Sequence, residues 1–253
     1  MDFRAKYVAE EYLAYKNNCR TVRRIGFPLY GVPELSVDEL FRPLPTNRDE
    51  NILEHQAATA LLFLLIYYHF PDYYTWLAPE LVPIAVFVLL THDYPEGVMG
   101  GDTPADGTQN EDIKILFETS AYTRFIRNLP TAQRHRIRDL YGGFNSKDER
   151  LGRVLYLCDK FEAVGQALVY AKNRHPGDGN VKDTKFRGTP YGGLSAQDRA
   201  CIEVTGSTEI APNWGLNFYN ICQSYPVEAQ PFVKILREAF RLVYGKVPDY
   251  LLT

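Results

Sequence analysis

Two imidazoles and two carboxylates stand where their chemistry needs a reason: His55, the adjacent pair His92 and Asp93, and Asp159. Each lies in or beside a long apolar stretch of helical periodicity, where a carboxylate is costly unless hydrogen-bonded or bound to a cation. The separations, 36 residues between the histidines and 65 between Asp93 and Asp159, are too wide for a zinc finger. They suit a site assembled from several helices. A mixed nitrogen and oxygen set of this kind accepts Mn, Co, Fe, Ni, Zn or Mg, decided more by availability than by strict selection. It also leaves coordination positions for water and a substrate.

The elements that must carry these residues follow from the apolar spacing, which predicts helices over about 4–18, 49–70, 83–93, 111–128, 131–142, 147–173 and 226–244. Phe70-Pro71 stops the second of them, and Pro83 sits near the start of the third, where proline is tolerated. Residues 81–90 are apolar on all sides, so that helix is buried, and it ends abruptly in Thr91-His92-Asp93. Neighbouring helical side chains diverge by about 100°, so His92 and Asp93 share a target most easily where the helix is finishing. Pro95 fixes that finish. Gly152, Leu155, Asp159 and Ala163 share one strip, and Ala58 and Thr59 follow His55 by one turn. Small neighbours on both helices would let them approach closely around an ion.

Between the helices, residues 24–51 carry Pro28, Pro33, Pro43 and Pro45 and read as irregular, with a helical turn at 36–41 opened by a capping box of Ser36 and Glu39. Residues 94–110 read as a glycine-rich loop. Residues 175–213 are rich in Gly, Pro, Asp and Thr, the composition of a lid, a binding loop or a mobile insertion, with a short strand signal at 201–205. The expectation is an all-α helical bundle, one domain over 1–253: an N-terminal helix in 1–24, a core at about 45–172, and an irregular insertion with a C-terminal helix in 173–253.

Composition narrows the function. With 28 Lys+Arg against 31 Asp+Glu there is no basic footprint for a long nucleic acid. The apolar runs 57–68 and 81–90 fall short of the roughly 20 residues a bilayer needs. The opening MDFRAKYVAEEYLAYKNN is charged and unlike a signal peptide. Cys19, Cys158, Cys201 and Cys222 are scattered and read as reduced thiols, so the expected compartment is the cytoplasm. No GxxxxGK[ST] loop occurs, which speaks against ATP-driven chemistry. The 18 tyrosines and 14 phenylalanines are read as filling helix interfaces and clefts.

As a set, these residues resemble the HD-domain phosphohydrolase superfamily, whose pattern is H…HD…D on a helical bundle. Arg48-Asp-Glu-Asn-Ile-Leu-Glu-His55, Thr91-His-Asp-Tyr-Pro-Glu96 followed by Gly101-Asp102-Thr-Pro104, and Leu157-Cys-Asp-Lys160 are similar to the motifs of its 5′-deoxynucleotidase branch, with Glu118 in a matching place. The resemblance spans about 45–172. It implies an HD-domain fold in which His55, His92, Asp93 and Asp159 bind a divalent metal. It further implies that Glu96 assists water activation or proton transfer, and that Asp102 meets the sugar hydroxyl or assists catalysis. Arg42, Arg48 and Lys160 would hold phosphate and organise the entrance. The spacing from Glu96 to Asp102 is one residue longer than in that branch, and no Arg-Trp pair stands upstream.

The implied activity is release of phosphate from a nucleotide 5′-monophosphate, in a homodimer by family analogy. Neighbouring readings are hydrolysis of a nucleoside triphosphate or a cyclic or signalling nucleotide, an HD-type di-iron oxygenase, and a nucleotide-binding sensor without turnover. The oxygenase needs extra histidines before the last aspartate, and that interval holds only His135.

Overall fold

The computed structural model of the chain describes residues 3–21, 52–95, 111–173, 200, 203–207 and 209–252. Among them run α1 (Phe3–Thr21), α2 (Ile52–His69), α3 (Val82–Leu89), α4 (Glu111–Phe125), α5 (Thr131–Ser146), α6 (Arg150–Asn173), α7 (Ile210–Ser224) and α8 (Gln230–Tyr244). Short 3-10 turns lie at Pro71–Tyr73, Pro79–Leu81, Ile126–Asn128 and Asp249–Leu251, and no strand occurs among the described residues. The all-α expectation holds.

The bundle is organised by α6, which packs against α1, α2, α3, α5, α7 and α8. A helix surrounded in this way must offer something different on each face. Toward α5 it offers Gly152: a Cβ there would sit 2.1 Å from the Gly143 carbonyl oxygen, so two glycines meet backbone to backbone. Toward α7 and α8 it offers Phe161, whose ring packs on Phe218 and Phe232 at 5.3 and 6.2 Å. Toward α1 it offers Gly165, where a Cβ would lie 2.5 Å from the Tyr12 ring. Toward α2 it presents Asp159 and Glu162. The core is otherwise aliphatic and aromatic, and burial of these side chains is the main stabilising contribution. The expected aromatic filling is seen where Tyr122 stacks on Tyr141 with 3.8 Å between centroids.

Several sequence-derived boundaries need correction. The helix carrying the His-Asp pair ends at Leu89 rather than Asp93, so both residues sit in the turn that follows. Thr91 causes this in part: its hydroxyl donates back to the Phe87 carbonyl at 2.7 Å, a local bond that competes with helix continuation. Tyr94 and Pro95 are already helical again instead of opening a loop. Residues 203–205 are helical, not a strand. The C-terminal part holds two helices, not one: α7 replaces the end of the expected irregular segment, and α8 begins at Gln230 rather than at about 226. The capping box at Ser36 and Glu39 and most of residues 175–213 lie outside the described residues.

Candidate metal centre

His55 comes from the first turn of α2, one turn ahead of Thr59, whose hydroxyl donates to the His55 carbonyl at 2.8 Å. Its two ring nitrogens have separate tasks. Nδ1 lies 2.5 Å from Glu162 Oε2, a carboxylate that only accepts, so Nδ1 carries the proton. Nε2 is left with its lone pair turned toward Asp159 Oδ1 at 3.0 Å and Asp93 Oδ2 at 3.4 Å. A buried carboxylate that fixes the tautomer of a ligating histidine is a recurrent feature of metal sites.

His92 is prepared the same way by a different group. Its Nδ1 donates to the Leu89 carbonyl at 2.8 Å, the free acceptor at the end of α3. Its Nε2 faces Asp93 Oδ1 at 3.2 Å and Asp159 Oδ1 at 3.4 Å. Asp93 therefore stands astride the two imidazoles, with one oxygen toward each. Donor atoms of His55, His92 and Asp159 all fall within 4.8 Å of one another. Ligands about 2.1 Å from a common ion lie about 3.0 Å apart when adjacent and about 4.2 Å when opposite. The pair distances of 3.0, 3.2 and 3.4 Å are close to those of adjacent ligands, and His55, His92 and Asp159 offer a donor set that fits a divalent cation, with Asp93 beside them.

The electrostatics agree. Burial would raise the Asp159 carboxyl, but Lys160, His55 and His92 overcome it and hold the group well below the usual carboxylate range. Burial likewise works against a charged His92, yet the Asp159 hydrogen bond and the charges of Asp93 and Asp159 push its imidazole up to about 9. A proton thus occupies the place where a cation would sit. Lys160 Nζ lies 2.8 Å from Asp159 Oδ2, and that charge raises its ammonium above its ordinary value.

His92, Asp93 and Asp159 line a cleft of about 270 Å³ together with Glu118, Asn145, Lys147, Tyr156 and Lys160. His55, His92, Asp93, Asp159 and Lys160 are thus brought together, while Arg42, Arg48, Glu96 and Asp102 lie outside the described residues. Three residues at the site escaped the sequence reading. Glu162 had a signal, standing three residues after Asp159 on the same helical face. Gln56, 4 % exposed, reaches the His-Asp turn: with its amide turned so that the nitrogen faces the Leu90 carbonyl, it donates there at 3.0 Å and accepts the Asp93 N–H at 3.1 Å. Lys147 closes α5 and lines the cleft. No such pattern marks the last two.

No curated protein and no solved structure matches the chain. A family described as HD domain does, over residues 41–196, which is more than half of the 253 residues and includes α2 through α6 with the whole centre. The chain therefore belongs to the HD domain family, whose helical fold and divalent-metal site agree with the bundle and the His/Asp cluster.

Proposed function

We propose that the protein is a metal-dependent phosphohydrolase that releases phosphate from a nucleotide, with a 5′-monophosphate as the favoured substrate. The observation that carries the reading is the convergence of His55 with His92, Asp93 and Asp159, the last three of which line a cleft that also holds two lysines. His55, His92, Asp93 and Asp159 would hold the cation. The chemistry it supplies when bound is polarisation of a phosphoryl oxygen and a lowered pKa for water.

The remaining work falls to the chain. Glu162 and the Leu89 carbonyl keep both imidazoles oriented, so no reorganisation is needed as charge develops. Lys160, beside Asp159, would offset negative charge on the phosphoryl group. Glu96, three residues past Asp93, is assigned the proton transfer, Asp102 the sugar hydroxyl, and Arg42 and Arg48 the phosphate and the entrance, all on the motif resemblance. The one histidine between Asp93 and Asp159, His135, is exposed on α5, which supports a mononuclear hydrolase over a di-iron oxygenase.

The test is phosphate release from a panel of nucleoside mono- and triphosphates and cyclic nucleotides, with the chain loaded with Mn or Co. Turnover of a monophosphate that falls at least a hundredfold in Asp93→Ala is the expected result. Tight nucleotide binding with no phosphate released from any of them would replace the hydrolase with a sensor.

A further inference from the structure

We propose that Lys147 is the anchor for the anionic end of the substrate, presented to the cleft by a left-handed backbone turn. The inference rests on the phosphate-ester reading and adds a phosphate-binding residue to those assigned there. Helix α5 ends at Ser146, and Lys147 follows with φ 60° and ψ 18°, its N–H donating to the Gly143 carbonyl at 2.8 Å. That left-handed closing position is ordinarily glycine, because a Cβ is disfavoured there. Among the described residues Lys147 is the only non-glycine with positive φ. Strain of this kind persists where the surroundings over-determine it, and it clusters at functional sites.

The surroundings do over-determine it. Arg153 from α6 donates to the Asp148 carbonyl at 2.8 Å and pairs with Glu228 at 3.1 Å, which fixes the short turn between α5 and α6. The Lys147 ammonium then comes to rest 4.8 Å from the centre of the Tyr156 ring, and the Lys160 ammonium lies 5.5 Å from it. Lys160 already has a carboxylate partner in Asp159. Lys147 is half-buried and pairs with no carboxylate among the described residues, yet it lines the same cleft as His92, Asp93 and Asp159. A half-buried ammonium held on an aromatic face beside a metal centre is arranged for an anion brought by the ligand. The cleft formed by the described residues, at about 270 Å³, is smaller than the roughly 300–1,000 Å³ of pockets that enclose a drug-sized molecule. It suits a phosphoryl group and part of a sugar, with the base directed outward.

The simpler role for Lys147 is to complement the negative end of the α5 dipole. Lys147→Gly separates the two roles, because glycine relieves the left-handed turn while removing the amine. Full-length chain loaded with Mn is titrated with inorganic phosphate by calorimetry, and its kinetics are measured with a nucleoside 5′-monophosphate. The expected result is a Lys147→Gly protein at least as heat-stable as the wild type, with phosphate bound at least tenfold more weakly. KM should rise about tenfold with kcat within about threefold, and Lys147→Arg should recover most of the loss. Phosphate affinity within twofold of wild type in Lys147→Gly, or no phosphate binding by the wild type, would overturn the proposal. If the wild type hydrolyses no ester, the hydrolase reading fails by itself, and the phosphate titration still decides the role of Lys147.

Discussion

Replacing Glu162 by glutamine tests whether the centre depends on a partner that never touches the ion. Glu162 is 1 % exposed and its Oε2 lies 2.5 Å from His55 Nδ1. Glutamine keeps the volume and removes the charge. Its amide oxygen still accepts the Nδ1–H, but the bond loses its charge-assisted strength, roughly half of its value. If the amide turns its nitrogen toward Nδ1 instead, the ring proton moves to Nε2 and the lone pair that faces Asp93 and Asp159 is lost. Loss of such a partner costs about 10–100-fold in metal affinity, equivalent to about 1.4–2.7 kcal/mol. The assay is competition between the protein and a calibrated chelator for Zn or Mn, with far-ultraviolet circular dichroism to show that the helices remain. Glu162→Gln should bind at least tenfold more weakly with unchanged helicity. An affinity within twofold of wild type would mean that His55 is oriented by packing alone, and the tautomer argument would fail.

Gly152→Ala should destabilise the fold by about 3 kcal/mol in urea denaturation, because its Cβ would meet the Gly143 carbonyl oxygen at 2.1 Å and that neighbour is backbone. Gln56→Ala leaves the Leu90 carbonyl and the Asp93 N–H without their partner, so stability should fall by about 1–3 kcal/mol and Mn affinity should fall with it. Phe218→Ala, at a ring 1 % exposed between Phe161 and Phe232, should lose about 3–5 kcal/mol in the same urea denaturation. The His92 imidazole, raised from about 6.5 to about 9, stabilises the metal-free fold fully below pH 6.5 and loses that stabilisation as pH rises through 9. Chelator-treated protein should therefore be up to about 3 kcal/mol less stable at pH 9.5 than at pH 6, while metal affinity rises over the same window; a flat urea midpoint would refute it.

His55, His92, Asp93, Asp159 and Lys160, which the structure brings together, were legible because their types are costly in apolar helices, and cost at a known position predicts a compensating partner. Glu162 belonged to the same logic, one turn beyond Asp159. Gln56 and Lys147 were beyond reach for a different reason. What Gln56 does depends on two backbone groups beyond the end of α3, and what Lys147 does depends on a dihedral angle that lysine seldom adopts. Helix α7 was missed because Pro212, Asn213, Gly215, Asn217 and Asn220 are poor helix formers. It forms because Ala211, Leu216, Phe218 and Cys222 are buried against the rest of the bundle, and tertiary burial outweighs local propensity.

The centre and the core of the bundle share free energy through α6. Asp159 and Phe161 stand two residues apart on α6, about 200° around the helix. One faces the imidazoles of α2 and the turn after α3, and the other faces the rings of α7 and α8. A rotation of α6 that spoils one contact spoils the other, so a cation held by Asp159 is linked to a core it does not touch. Saturation at about 100 times the Kd should then raise global stability by about 2.7 kcal/mol. That gain should appear at α7 and α8 as well as at α2, read as slower amide exchange in all three helices. Protection confined to α2 and the His-Asp turn would show that the ion stabilises only its own ligands.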